Sequence, residues 1–262
     1  MAELWFVGLG LSDERGLSAH ALDVLRSSGE VLAEEYTATA PPGTLERLGG
    51  LLGRPIRRLD RPLLESEAPV VEALGRHPRV AVLVVGDPFA ATTHVALRLA
   101  VERAGHDWRY VPNASILTAA AGLLGLMHYR FGRTVSLPFP EYGFAPRSPV
   151  EQAAGNRDRG LHTLVLLDLR PAEGRYLTAP DALRILRERD PGGLAMRPTN
   201  LAAVAARVGR DDAQGYFGTV EQLEQADLGP PLHSLVLLAP ELHFEEAAAL
   251  ERYRLPGPRR PA

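Results

Sequence analysis

Two short polar turns hold the residues best suited to bind a ligand. The first, Gly8-Leu9-Gly10-Leu11-Ser12-Asp13-Glu14-Arg15, follows an apolar run; the second, Gly86-Asp87-Pro88-Phe89-Ala90-Ala91-Thr92-Thr93-His94, follows another. A Gly-x-Gly turn lets a ligand approach the backbone closely, because no Cβ stands in the way. It is not a dinucleotide fingerprint, since Asp13 occupies the third glycine position and the Asp13-Glu14 pair would repel a pyrophosphate. In the second turn, Pro88 cannot continue a central strand, and Asp87 offers a carboxylate that accepts from ribose hydroxyls or an α-amino group and favours a cationic ligand. Together the turns suggest a glycine-lined crevice for a nucleoside without a phosphate chain. Each also has a plainer reading as a tight turn.

Other chemistries are excluded by residue type. The chain has 262 residues and no Cys, so disulfides, thiolate metal sites and a Cys nucleophile are ruled out. Its 29 basic residues are all Arg, which removes Schiff-base chemistry and a Walker lysine. His94, His162 and His233 match no zinc spacing, and isolated histidines at element ends read first as structural. No Gly-x-Ser-x-Gly elbow is present. The net charge of −3, with both signs mixed, gives no nucleic-acid footprint, and Arg54, Arg57, Arg58 and Arg61 read as a solvated edge. No apolar run reaches membrane-helix length, and residues 1–7 lead directly into a strand pattern without a signal peptide, so a cytoplasmic protein is expected.

The elements that position these turns are legible in the periodicity. Strands are expected at 4–7, 30–33, 81–85 and 108–111. Helices are expected after a Ser18 cap, at 44–52, at 66–75 with Glu65 and Glu67 in an acidic first turn, and at 93–104 up to Gly105. The run at 81–85 is apolar throughout, as in a strand buried on both faces. Repeated strand–helix alternation predicts a mainly parallel sheet with right-handed crossovers. If that sheet sets the first strand beside 81–85, the two turns share one edge. Pro112-Asn113-Ala114-Ser115 reads as a junction, giving an N-terminal α/β domain over 1–112 and a C-terminal α/β domain over 113–262. Leu161-His162-Thr163-Leu164-Val165-Leu166-Leu167 echoes Leu232-His233-Ser234-Leu235-Val236-Leu237-Leu238, as expected of two central strands of the second domain. The tail from Pro256 reads as frayed.

Read together, these residues resemble the diphthine synthases, a branch of the tetrapyrrole-methylase-like S-adenosylmethionine transferases. The likeness runs through Phe6 to Arg15, Glu34-Glu35-Tyr36-Thr37, Gly86 to His94, Asn113-Ala114-Ser115-Ile116, Tyr129-Arg130-Phe131-Gly132, Gly160 to Asp168 and Pro231-Leu232-His233. Asp-Glu-Arg after Gly-Leu-Gly-Leu, the Ala-Thr-Thr-His and the Gly-Leu-His-Thr-Leu, in this order, are specific to the branch. The resemblance implies an α/β fold of two domains of the tetrapyrrole methylase type, with the methyl donor S-adenosylmethionine in the cleft between them, no metal, and a homodimer. It carries the donor contacts onto Leu11, Asp87, Ala90, Ser115, Ile116, Leu167, Val208 and His233. Val208 lies in an alanine-rich stretch of weak strand propensity. The implied reaction is repeated N-methylation, a trimethylation, of the 3-amino-3-carboxypropyl group on a modified histidine of translation elongation factor 2. The chain's length and lean loops resemble the archaeal type, which stops at three methyl groups. No residue is an obvious general base and solvent could serve; His94, beside the donor loop, is the one weak candidate, and a structural role is the favoured reading for it. The Pro-rich segment 138–149 is a candidate contact for the protein substrate. A tetrapyrrole C-methyltransferase would share the fold but predicts Pro-Gly where Leu11-Ser12 stands. A non-enzymatic nucleoside-binding module would bind the donor without turnover.

Overall fold

The computed structural model describes residues 1–34, 38–140 and 146–256, the side chain of Arg61 aside. The Glu35-Tyr36-Thr37 motif, the middle of the Pro-rich segment and the tail after Pro256 lie outside the described residues. The chain forms two compact units: Met1–Ile116 with Arg170–Gly174, and Leu117–Leu169 with Arg175–Ala262.

The first unit holds strands β1 (Glu3–Gly10), β2 (Glu30–Glu34), β3 (Arg57–Leu59), β4 (Arg79–Val85) and β5 (Asp107–Val111). They form one sheet in the order β3-β2-β4-β1-β5, parallel at every pairing. Side-chain alternation sends Leu4, Phe6, Val80, Val82 and Val84 to one core, and Val7, Leu9, Ala81 and Leu83 to the other. Helices α4 (Ala68–Arg76) and α5 (His94–Arg103) cover the first face through Val70, Ala73, Leu74, Leu97 and Val101. Helices α1 (Ala19–Ser27) and α2 (Thr44–Leu52) cover the second through Ala21, Val24, Leu25, Leu45 and Leu48. The strand order reverses between β1 and β4, so the crevice at their carboxyl ends is the topological switch point where open α/β sheets place ligands.

The expected cap is present: Ser18 Oγ accepts from the Ala21 amide at 3.0 Å. One helix boundary differs. A short helix α3 (Arg61–Glu65), capped by Asp60, precedes α4, and Glu67 is the α4 N-cap in a left-handed conformation, φ 59°. Glu65 and Glu67 therefore lie before α4 rather than in its first turn, because Pro62 and the Asp60 cap start a separate helix.

Beyond β5 the chain forms α6 (Ile116–Leu124), whose first residue closes the first unit, then β6 (Val135–Leu137), α7 (Ser148–Asp158), β7 (Thr163–Leu167), the two-residue strands β8 (Leu169–Arg170, its second residue counted with the first unit) and β9 (Arg175–Tyr176), α8 (Ala179–Glu188), β10 (Leu201–Ala206), β11 (Gln214–Thr219), α9 (Val220–Gln225), β12 (His233–Leu237) and α10 (Phe244–Glu251), the remainder belonging to the second unit. Its main sheet runs β11-β10-β12-β7-β6, antiparallel except for β6 against β7. The two echoing segments are adjacent antiparallel strands, Ser234 opposite Leu166 and Leu237 opposite Thr163. His162 and His233 therefore stand at opposite ends of the sheet. The alanine-rich stretch does form a strand, because β10 is hydrogen-bonded on both sides and buried from Ala202 to Ala206, which overrides weak propensity.

Candidate functional site

The two predicted turns meet. Val7 pairs with Leu83 and Gly8 with Val84, so the chains leave the sheet side by side. Gly10 and Gly86 then exchange backbone hydrogen bonds of 3.2 and 2.8 Å. Both glycines sit at positive φ, 82° and 81°. A Cβ on Gly8 would lie 2.6 Å from Asn113 Cβ and 2.8 Å from the Gly86 carbonyl oxygen, so only glycine allows this approach.

Asn113 joins a third segment to the pair. Its Nδ2 donates to the carbonyls of Gly8 at 2.9 Å and Gly16 at 3.0 Å, and its Oδ1 accepts from the Ala114 amide at 2.7 Å. The Asp87 carboxylate completes the knot. Oδ1 accepts from the Phe89 amide at 3.0 Å, while Oδ2 accepts from the Asn113 amide at 3.2 Å and from the Tyr110 hydroxyl. Burial, reinforced by the Asp87 charge, pushes the Tyr110 hydroxyl above its ordinary value, so it remains a donor. Leu11, Asp87 and the junction leading to Ser115 and Ile116 are thus brought together at the switch point. Ala90 joins them through a 3.2 Å bond from its amide to the Asp87 carbonyl.

The acidic pair after Gly-Leu-Gly-Leu does not present bare charge. Asp13 accepts from the Arg15 amide and Nε at 3.0 Å, and Glu14 accepts from Arg47 Nε at 2.7 Å. These bonds hold both carboxyls below the usual carboxylate range. The pair caps and braces its loop, so the repulsion expected toward a phosphate is largely spent internally.

His94 is enclosed, 2% exposed. Its Nδ1 stands 2.6 Å from the Pro88 carbonyl oxygen, and its Nε2, without a hydrogen-bond partner, lies 3.9 Å from Glu34 Oε2 inside the protein. This enclosure suits the favoured structural role rather than the weaker base candidacy, because the nitrogen that would accept a proton faces the interior.

The three predicted residues of the second unit also converge. Ala206 is opposite His233, and Ser234 is opposite Leu166, so Leu167, Val208 and His233 occupy one end of the sheet. Arg207 organises that end. Its amide donates to the Leu232 carbonyl at 2.8 Å, its Nη1 to the Pro230 carbonyl at 2.5 Å, and its Nε pairs with Asp212 at 2.8 Å. His233 Nδ1 accepts from the Ala179 amide at 3.2 Å, which leaves the proton of the neutral ring on Nε2. Burial first, and the Arg207 charge second, push His233 below the usual imidazole range despite the surrounding carbonyls of Leu228, Gly229 and Pro230. Its Nε2 is buried without a hydrogen-bond partner. It faces the carbonyls of Leu228, Gly229 and Pro230 at the edge of the loop that Arg207 shapes.

His162 serves a different purpose. Its Nδ1 accepts from the Ala239 amide at 3.0 Å, and its Nε2 pairs with Glu246 at 3.1 Å. Glu246 is fully buried and also receives Arg130 Nη1 at 2.5 Å and the amides of Met127 and His243. The Tyr-Arg-Phe-Gly and Gly-Leu-His motifs therefore build an internal ion network.

Sequence reasoning gave no role to Tyr110, Asn113 or Arg207. Asn113 was visible as part of the junction, and two side-chain-free glycine turns call for a carboxamide that both donates and accepts. Among the described residues no group of three or more His, Asp or Glu is placed to hold a metal ion, and no helix is long and apolar enough to cross a membrane.

The family model for Tetrapyrrole (Corrin/Porphyrin) Methylases matches residues 3–224. The chain is 39% identical over 269 residues to the diphthine methyl ester synthase of Aspergillus fumigatus, covering 95% of this chain and 93% of that protein. It is 38% identical over 249 residues to the diphthine synthase of Methanothermobacter thermautotrophicus, covering 93% and 92%. A crystal structure of a diphthine synthase matches with a TM-score of 0.87 at 34% identity, covering 97% of this chain and 96% of that one.

Proposed function

The chain belongs to the tetrapyrrole methylases and, within them, to the diphthine synthases, and from that premise we propose that it methylates the 3-amino-3-carboxypropyl group on the modified histidine of translation elongation factor 2, three times over. The observation that carries this reading is near-full-length identity to diphthine synthases. The convergence of the predicted residues into one cluster on each unit supports it. We assign donor binding to Leu11, Asp87, Ala90, Ser115 and Ile116 from the first unit and Leu167, Val208 and His233 from the second, and keep 1–112 and 113–262 as the functional domains.

S-adenosylmethionine would supply an electrophilic methyl group on a sulfonium whose leaving group needs no further activation. Gly8, Gly10 and Gly86 leave backbone room where the donor would lie, and the loop around His233 would help hold it. Asp87 keeps the Gly86–Ala90 turn in shape, and its negative charge suits a cationic ligand. An ammonium acceptor must shed a proton before each of three transfers. No enclosed side chain is required for this, and solvent takes the proton. Alignment of the amine with the methyl carbon then supplies much of the rate. We also propose a homodimer, to be tested by sedimentation.

The deciding experiment incubates the protein with labelled S-adenosylmethionine and elongation factor 2 bearing the aminocarboxypropyl histidine, read by intact mass. A gain of three methyl groups is expected. A gain of four would favour the second reading, a methyl ester product, which the relationship to the Aspergillus fumigatus protein named for that activity supports. No gain sinks both.

A further inference from the structure

The turn that carries Asp87 and Ala90 contains two left-handed residues, Gly86 at φ 81° and Ala91 at φ 57°. Glycine adopts this conformation freely, whereas alanine does so only when its surroundings force it. The turn is therefore held at more than one point. Gly86 is tied to Gly10, and Asp87 to Phe89, Asn113 and Tyr110. These tethers fix its first half. Further side-chain bonds to this turn come from the start of α5. The His94 amide donates to Thr92 Oγ1 at 3.0 Å, and the His94 ring reaches back six residues to the Pro88 carbonyl.

The geometry decides what that ring does. A carbonyl oxygen only accepts, so the 2.6 Å contact puts the proton on Nδ1 and makes His94 the donor. The ring packs near Phe6, with centroids 6.5 Å apart, and Nε2 points toward the buried Glu34 carboxylate. Nothing in this arrangement delivers a lone pair to an incoming amine. We propose that His94 is a positioning residue, whose Nδ1–H holds the Pro88 carbonyl and so keeps the Gly86–Ala91 turn in the shape that presents Asp87 and Ala90. This rests on the donor site proposed above only for its consequence in binding; the effect on the turn itself does not depend on it.

Asparagine, glutamine and alanine at position 94 separate the possibilities. An asparagine amide reaches about as far from the backbone as Nδ1 and can donate to the same carbonyl; glutamine reaches about as far as Nε2 and cannot. Each full-length variant is compared with the wild type by thermal melting, by hydrogen exchange of the Phe89 and Ala90 amides, and by calorimetry with S-adenosylhomocysteine. Turnover is followed across pH on the aminocarboxypropyl elongation factor. For His94→Ala and His94→Gln, exchange at those two amides is expected to accelerate and the dissociation constant to rise about tenfold. His94→Asn should stay within about threefold of wild type in both, and the pH profile of kcat should keep its shape in all three.

Unchanged exchange in His94→Ala, or a His94→Asn variant as defective as His94→Ala, overturns the proposal. So does a collapse of kcat with donor affinity intact and the pH profile altered, which would restore the base. If the wild type fails to bind S-adenosylhomocysteine, the donor site falls, while the exchange measurement still tests the role of His94.

Discussion

Asp87 receives three hydrogen bonds from its own protein, two from amides and one from the Tyr110 hydroxyl. Its effect on a ligand is therefore exerted largely through the loop it holds. Bonds to a charged acceptor are the stronger kind, but Tyr110 is partly solvent-exposed, so its bond is worth about 1 kcal/mol, or roughly fivefold in affinity. Tyr110→Phe is expected to weaken S-adenosylhomocysteine binding by that factor with little change in melting temperature. Asp87→Ala strips the acceptor from all three donors and should weaken binding tenfold or more by calorimetry. Unchanged affinity in Asp87→Ala would remove it from the site.

At the scale of elements, the crevice exists because β1 and β4 are parallel neighbours whose connecting helices lie on opposite faces of the sheet. The close approach of the two turns is steric, and glycines are its condition. Gly8→Ala places a methyl group against Asn113 and the Gly86 carbonyl; overpacking of this kind costs about 1–3 kcal/mol. The expected result is a melting temperature lower by several degrees together with weakened donor binding. Gly50 in α2 is the control, since a Cβ there meets nothing within 4 Å. Gly50→Ala should leave donor binding alone and hold or slightly raise the melting temperature, because alanine loses less backbone entropy in a helix.

For the whole molecule, the two buried histidines of the second unit set a pH dependence of stability. Burial pushes both His162 and His233 below the usual imidazole value of 6.5. A group with a depressed folded pKa contributes its stability in full above the unfolded value and loses it as pH falls toward the folded one. Melting temperature should therefore be flat above about pH 7 and decline as pH drops below 6.5. Glu246 adds a second step. Burial alone would raise its carboxyl, but the amides of Met127 and His243, with His162, outweigh that and hold it below its ordinary 4.5. Its contribution is lost below that value. A melting temperature unchanged between pH 7 and pH 5 would contradict the neutral, buried state of the histidines.

The sequence by itself determined the alternating elements, the two polar turns and the family, because these are local: periodicity, caps and glycine spacing are written in neighbouring residues. Through the resemblance it also pointed to Leu11, Asp87, Ala90, Ser115, Ile116, Leu167 and His233, each in a recognisable motif, and to Val208, which lies in an alanine-rich stretch outside them. Strand order could not be read this way, because pairing between β1 and β4 joins segments about 75 residues apart. Only the tertiary structure decided that Asn113 and Tyr110 bind the turns together, that Arg207 shapes the His233 loop, and that Asp13 and Glu14 spend their charge internally. It also enclosed His94, whose place in the Ala-Thr-Thr-His motif beside the donor loop made it the weak candidate for a base. Whether a polar side chain faces a ligand or its own backbone depends on what folding brings within about 3 Å of it, and that distance is a property of the assembled chain.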